Sequence, residues 1–211
     1  KRYKYYLHHY FINMSDVGNA MVGEDVMELE HVIGFTGKAK NTLHYHPTME
    51  NTIVYGMGAV VVIQNLKDAH QQDFLRGHDN DVSAIAISKD GGLIASGQYG
   101  SILHKGFDAP VIVWDVQGRR DVYQLLGITQ AVDNLTFSDD ARFLAATGGD
   151  NNSFYVWDMQ TGEVVASKKY LKPVTSLTWA AVDTSGRRPS YTLVTATNSQ
   201  VFINTLAYQV V

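Results

Sequence analysis

The stretch Gly77-His-Asp-Asn-Asp-Val-Ser-Ala-Ile-Ala-Ile-Ser88, followed by Pro110-Val-Ile-Val-Trp-Asp115, decides how this chain is read. Its core, Asp81 to Ser88, returns as Ala131-Val-Asp-Asn-Leu-Thr-Phe-Ser138 and Pro173-Val-Thr-Ser-Leu-Thr-Trp-Ala180, with a weaker copy at Ala39 to His46. Aligning Lys40, Val82, Val132 and Val174 gives spacings of 42, 50 and 42 residues. A second landmark keeps the same beat, since Trp114-Asp115 and Trp157-Asp158 lie 43 apart in the contexts Val-Ile-Val-Trp-Asp and Phe-Tyr-Val-Trp-Asp. A fixed period of this length marks an array of one repeated supersecondary unit.

Between the landmarks lie short runs rich in β-forming residues, Leu93 to Ser96, Phe143 to Thr147 and Tyr191 to Thr197. They are separated by the turn clusters Lys89-Asp-Gly-Gly92 and Ser138-Asp-Asp140, which reads as several antiparallel strands per period. Ile85, Ala86 and Ile87 are apolar on both strand faces, as expected of a sheet packed between two others. No segment carries a convincing 3.6-residue periodicity.

A period of about 40 to 45 residues with four strands, Gly-His near its start and Trp-Asp near its end resembles the WD40-repeat family. The resemblance implies an all-β propeller with about four blades present here: 31–76, 77–125, 126–168 and 169–211, after an N-terminal tail at 1–30. It also implies a structural tetrad of His78, Ser96, Asp108 and Trp114 inside the second blade. The residue types suit that role, because an indole N–H donates, a serine hydroxyl donates and accepts, and an imidazole links the hydroxyl to a carboxylate. The segment Tyr99 to Phe107 lengthens the turn before Asp108 and accounts for the spacing of 50. The third repeat keeps Trp157-Asp158 but has Gly127-Ile128, Ala146 and Asn151 at the other three positions, so no tetrad is expected there.

Less generic strings narrow the resemblance. Met27 to Phe35, Asn80 to Ser88, Ile94-Ala-Ser-Gly-Gln98 and Gly106-Phe-Asp-Ala-Pro-Val-Ile-Val-Trp-Asp115 are similar to WD40 proteins associated with cilia and flagella, from about Glu28 to about Trp157. That resemblance implies a non-catalytic scaffold of the axonemal cytoskeleton. Its expected partners are tubulin and neighbouring luminal proteins of doublet microtubules, with no cofactor, metal or small-molecule substrate. The alternative is a generic cytosolic WD40 adaptor or complex-assembly subunit. A closed propeller takes about 4 to 8 blades, and this family is expected to carry two propellers, so a chain truncated within the first is expected. Residues 1–13 read as translated upstream sequence and Met14 as the natural start.

Composition excludes other classes. With 211 residues, 45% hydrophobic, 18% charged and no cysteine, the chain is ordinary globular sequence and no disulfide scaffold. The net charge is −4, and three of the 17 basic residues (Lys1, Arg2, Lys4) crowd the start, which leaves the body more acidic still. Nucleic acid, bound chiefly by neutralising phosphates, is therefore not an expected partner. Apolar runs such as Ala59 to Ile63 fall far short of the roughly 18 to 20 residues that span a bilayer. Residues 1–13 do not form a secretory signal, which together with the lack of cysteine points to a cytosolic compartment, while the resemblance implies the axoneme of a cilium or flagellum.

The remaining motifs have plain readings. His44 and His46 sit at strand spacing but lack a third ligand at a recognisable distance. Gly37-Lys38 with Thr42 does not satisfy a phosphate loop. His78, Ser96 and Asp108 contain the residue types of a nucleophilic triad, yet Trp114 makes the set structural. Asp139-Asp140 reads as a turn, and the pairs Arg119-Arg120, Lys168-Lys169 and Arg187-Arg188 as solvated loops. The long turn, with Tyr99, Leu103, His104, Lys105 and Phe107, is the candidate partner-binding segment, because long loops on rigid scaffolds tend to carry binding.

Overall fold

The computed structural model describes residues 29–35, 37–103, 106–149 and 152–206. The tail at 1–28, and with it the expectation for residues 1–13, lies outside these described residues, as do residues 207–211. All elements fall in the compact unit His31–Val211. Among the described residues fifteen strands form four antiparallel sheets in sequence order, and there is no helix. The first sheet is β1 (Leu43–Tyr45), β2 (Thr52–Met57), β3 (Val60–Asn65) and β4 (Gln72–Arg76). The second is β5 (Val82–Ile87), β6 (Leu93–Gln98), β7 (Val111–Asp115) and β8 (Arg120–Leu125). The third is β9 (Val132–Phe137), β10 (Phe143–Gly148), β11 (Ser153–Asp158) and β12 (Val164–Lys169), and the fourth β13 (Val174–Trp179), β14 (Tyr191–Thr197) and β15 (Val201–Leu206). Neighbouring strands in each sheet are consecutive in the chain, the arrangement of a propeller blade.

Three apolar clusters correspond to the three joints between successive sheets. Val54, Val61, Ile63 and Leu75 of the first sheet meet Val82, Ile85, Ile94, Ile112 and Trp114 of the second. Ala84, Ala86, Ala95, Val111 and Val113 meet Val132, Phe137, Leu144, Ala146 and Trp157 of the third. Phe143, Ala145, Phe154 and Val156 meet Val174, Leu177, Tyr191 and Leu193 of the fourth. The second sheet thus buries both faces, Ile85 towards the first sheet and Ala86 towards the third, and each fully buried large side chain contributes about 1.5–3 kcal/mol.

Two of the repeating valines mark close approaches at the first two joints. Val82 lies over Gly56, where a Cβ would come 3.1 Å from the valine Cβ, and Val132 lies over Gly97, where a Cβ would overlap the valine side chain outright. Glycine lets the inner strand of one sheet rest on the next without forcing them apart.

The turns between the first two strands of the middle sheets are also copies. In each, a serine hydroxyl donates to an aspartate two residues on and accepts the amide five residues on: Ser88 with Asp90 (2.6 Å) and Leu93 (2.9 Å), Ser138 with Asp140 (2.7 Å) and Phe143 (2.9 Å). Such side-chain bonds fix the turn. They also clasp the joints, because Lys89 pairs with Asp139 at 2.9 Å and the Tyr191 hydroxyl donates to Asp140 at 2.6 Å.

Candidate functional site

The second sheet carries a buried polar chain built from two of its strands, β6 and β7, and the Gly-His turn. The indole N–H of Trp114 donates to Ser96 Oγ at 2.7 Å, Ser96 Oγ lies 2.6 Å from His78 Nε2, and His78 Nδ1 lies 2.7 Å from Gln98 Oε1. Gln98 in turn donates through Nε2 to Asp79. Since the serine accepts from the indole, it donates to Nε2, and the imidazole carries its one proton on Nδ1 for the Gln98 carbonyl. Every donor then has an acceptor with a neutral ring. Burial pushes the His78 pKa down to about 4, opposed by the Gln98 hydrogen bond and the Asp79 charge. Gly77 is part of the same packing, since a Cβ there would come 3.0 Å from the Trp114 ring edge.

One expected member is elsewhere. Gln98, not Asp108, stands against Nδ1, while Asp108 is half-buried in an isolated bridge with Thr129. The long turn carries Asp108 onto the segment entering the third sheet, and the last residue of β6 fills its place. Ser96 is fully buried, with its hydroxyl committed to Trp114 and His78, so no substrate reaches it.

The register shows what stands at the corresponding positions of the other sheets. Ser96 faces Ile85 and Trp114 pairs with Ile94; the corresponding pairs are Tyr55 with Gln64, Ala146 with Trp157, and Thr195 with Asn204. In the first sheet the Tyr55 hydroxyl donates to Gln64 at 2.8 Å. In the third, Ala146, Trp157 and Ile128 sit together in apolar core, while Asn151 lies outside the described residues. In the fourth, Tyr170 Oη lies 2.8 Å from Thr195 Oγ1, to which Asn204 also donates at 3.2 Å. No motif announces these substitutes, and only the strand register reveals them.

The segment between β6 and β7 rises from the end of this polar chain. Its two legs grip residues 128–131 on the way into the third sheet: Gly100 N–H donates to Gln130 O at 2.6 Å, Gln130 N–H to Phe107 O at 2.8 Å, and Ala109 N–H to Ile128 O at 2.9 Å. Tyr99 bridges Ala131, and Asn80 donates to Gly100 O at 2.9 Å. Phe107 and Gln130 hold φ of 57° and 66°, a left-handed conformation that costs a bulky residue about 1–2 kcal/mol. Above this base the tip is open: Tyr99 is 37% exposed, Ile102 84%, Leu103 58% and Phe107 54%. His104 and Lys105 lie outside the described residues.

Tyr99 also lines a cavity of about 410 Å³ where the starts of the four inner strands converge, with Asn41, Ser83, Asn134 and Thr175. Asn41 reaches across it to donate to Asn134 at 3.3 Å.

The other candidates are accounted for locally. His46 is buried and accepts the Met49 amide at 3.0 Å, whereas His44 lies 3.1 Å from Asn41 O. Among the described residues no three His, Asp or Glu side chains converge to hold a metal ion. Thr42 is buried with its hydroxyl directed at Ala39 O, 3.3 Å away.

Successive antiparallel sheets of three or four strands joined through inner strands, with Gly-His and Trp-Asp landmarks linked by Ser96, are the architecture of a partial β-propeller that contains WD40 repeats. The family described as WD domain, G-beta repeat matches at residues 70–104 and 120–158. The chain is 38% identical over 138 residues to cilia- and flagella-associated protein 52 of Chlamydomonas reinhardtii, covering 65% of this chain and 22% of that protein. It is 37% identical over 140 residues to the protein of the same name from Mus musculus, covering 66% of this chain and 22% of that protein. To WD repeat-containing protein 90 of Mus musculus it is 28% identical over 155 residues, 72% of this chain and 8% of that protein. The chain therefore spans about a fifth of the length of the first two relatives.

Proposed function

We propose that this chain belongs to a non-catalytic scaffold of the ciliary or flagellar axoneme, which binds tubulin and neighbouring luminal proteins of doublet microtubules. The observation that carries the reading is its 38% identity to a relative named as associated with cilia and flagella. Two features of the molecule support a binding role over a catalytic one. The Ser96–His78 pair, whose residue types could serve catalysis, is sealed inside the second sheet. The long turn, in contrast, offers exposed Ile102, Leu103 and Phe107 on a braced, locally strained base, which is how rigid scaffolds present a contact surface. We assign the partner contact to this turn.

The test is mass spectrometry of doublet microtubules stripped of membrane and washed in high salt, from ciliated cells expressing the protein. Retention in the washed doublets is expected, and Leu103→Asp with Phe107→Asp should release the protein without unfolding it. Complete loss of the unmodified protein to the soluble fraction would overturn the axonemal reading and favour a cytosolic WD40 adaptor. Retention of the double variant would remove the turn from the contact.

A further inference from the structure

The loop between β13 and β14 runs Ala180-Ala-Val-Asp-Thr-Ser-Gly-Arg-Arg-Pro-Ser190, and none of the roles above uses it. Asp183 and Ser190 close its base, exchanging N–H···O bonds of 3.1 and 2.8 Å, and residues 184–189 are exposed. Arg187 and Arg188 project from this loop with no carboxylate partner among the described residues. Ser190 is partly exposed, and among the described residues its hydroxyl has no hydrogen-bond partner. The backbone bends through residues 185–188 and Pro189 fixes its own φ, so both arginines stand on an exposed bend two and three residues ahead of Ser190.

Two guanidinium groups two and three residues before a partly exposed hydroxyl are the charge pattern by which one class of kinases selects substrates, through carboxylates lining the cleft ahead of the acceptor. We propose that Ser190 is a phosphorylation site for an arginine-directed serine kinase that uses ATP. Ser190 Oγ attacks the γ-phosphorus, the new O–P bond replaces the bond to the β,γ-bridging oxygen, ADP leaves, and the hydroxyl proton passes to the kinase base. Other hydroxyls lack the pattern. Thr184 and Ser185 follow Val182 and Asp183, and Arg119-Arg120 precede Asp121 and Val122. The new phosphate, carrying about −1.5 to −2 charges, would stand beside Asp183 across the bridge, where like charges directly opposite destabilise the pair.

The folded chain should be incubated with an arginine-directed serine kinase and radiolabelled ATP, and the product mapped by mass spectrometry. The expected result is label on Ser190, none in Ser190→Ala, and kcat/KM lowered about tenfold or more in Arg187→Ala and in Arg188→Ala, as loss of a charge-assisted contact implies. An acid-directed kinase should leave the chain unlabelled. Circular dichroism and the urea midpoint, unchanged in all three variants, show that the fold is intact. Absence of label, label that persists in Ser190→Ala, label placed on Thr184 or Ser185, or labelling only after denaturation would each overturn the proposal.

Discussion

Lowering the pH from 7.5 to 5 protonates an exposed histidine but leaves the buried His78 neutral, and that difference is measurable as stability. The His78 pKa is about 4 in the folded protein against 6.5 for the free side chain. As pH falls through 6.5 the unfolded chain takes up a proton that the folded chain refuses, so the full contribution is present above about pH 6.5 and is lost down to pH 4. Linkage over that interval gives a loss of about 2 kcal/mol at pH 5 and about 3 kcal/mol below pH 4, where both states are protonated. Burial raises the Asp133 pKa towards this window with the opposite sign, a contribution shared by parent and variant that cancels in their difference, whereas the other shifted carboxylates lie below it. Asp90 is held low by the Ser88 hydroxyl and the Gly92 amide. At Asp140 and Asp158 burial pushes upward but is outweighed by hydrogen bonds from Tyr191 and from Arg142, so both also lie below 3.8. His46, lowered by burial, adds a loss of the same sign, which calls for a subtraction. Urea unfolding followed by tryptophan fluorescence at pH 7.5, 6.5, 5.5 and 5 should show His78→Gln less stable at pH 7.5, with a fall to pH 5 shallower than the parent's by about 2 kcal/mol. An equal fall in both proteins would refute the neutral, Nδ1-protonated ring. A parent that gains stability on acidification would mean that His78 is charged and paired with Asp79.

Ser96→Ala removes the acceptor of Trp114 and the donor to His78 together and should cost about 2 kcal/mol, read as a lower urea midpoint at constant m-value. Gly97→Ala drives a methyl into Val132 and should cost about 1–3 kcal/mol, with Val132→Ala in the same chain restoring part of it; additive losses would exclude a direct clash. Tyr191→Phe deletes the 2.6 Å bond to Asp140 between the third and fourth sheets and should cost about 1 kcal/mol, while NMR titration shows the Asp140 pKa rising.

The blade array was legible because packing at a joint imposes the same residue at the same register. Val82 and Val132 recur where an inner strand crosses a neighbour, and Trp114 and Trp157 recur where an indole fills the joint. The first and fourth sheets were harder to read, since their joints use different chemistry at the same points: Tyr55 with Gln64, and Thr195 with Asn204 and Tyr170. A linear search for Gly-His and Trp-Asp passes over them, whereas counting from the apolar residue two places earlier (Ile53, Ile94, Leu144, Leu193) would have found them. The assignment of Asp108 failed for a different reason. Spacing from Trp114 fits, but spacing along the chain cannot show that an inserted turn hands its legs to residues 128–131.

That hand-over joins the buried polar chain to the exposed turn. Gln98 links the chain that begins at Trp114 to Asp79, and its amide also donates to Tyr99 O at 3.2 Å, the first residue of the turn. On the other side of the Gly-His turn, Asn80 donates to Gly100 O, and Tyr99 N–H donates to Asp81 O at 3.0 Å. Residues 78–81 therefore hold both the His78 ring and the near leg of the turn, while residues 128–131 hold the far leg. The polar chain stabilises the blade, and through Gln98 it also fixes where the turn leaves the sheet. A tip bearing Ile102, Leu103 and Phe107 on so constrained a base loses less freedom when it meets a partner than a free loop would, which lowers the entropic cost of binding. With the turn as the contact proposed above, a neutral histidine and a fully bonded glutamine beneath it would serve stability and recognition together. Loosening the base through Gln98→Ala should weaken partner binding even though residue 98 itself is buried and touches no partner.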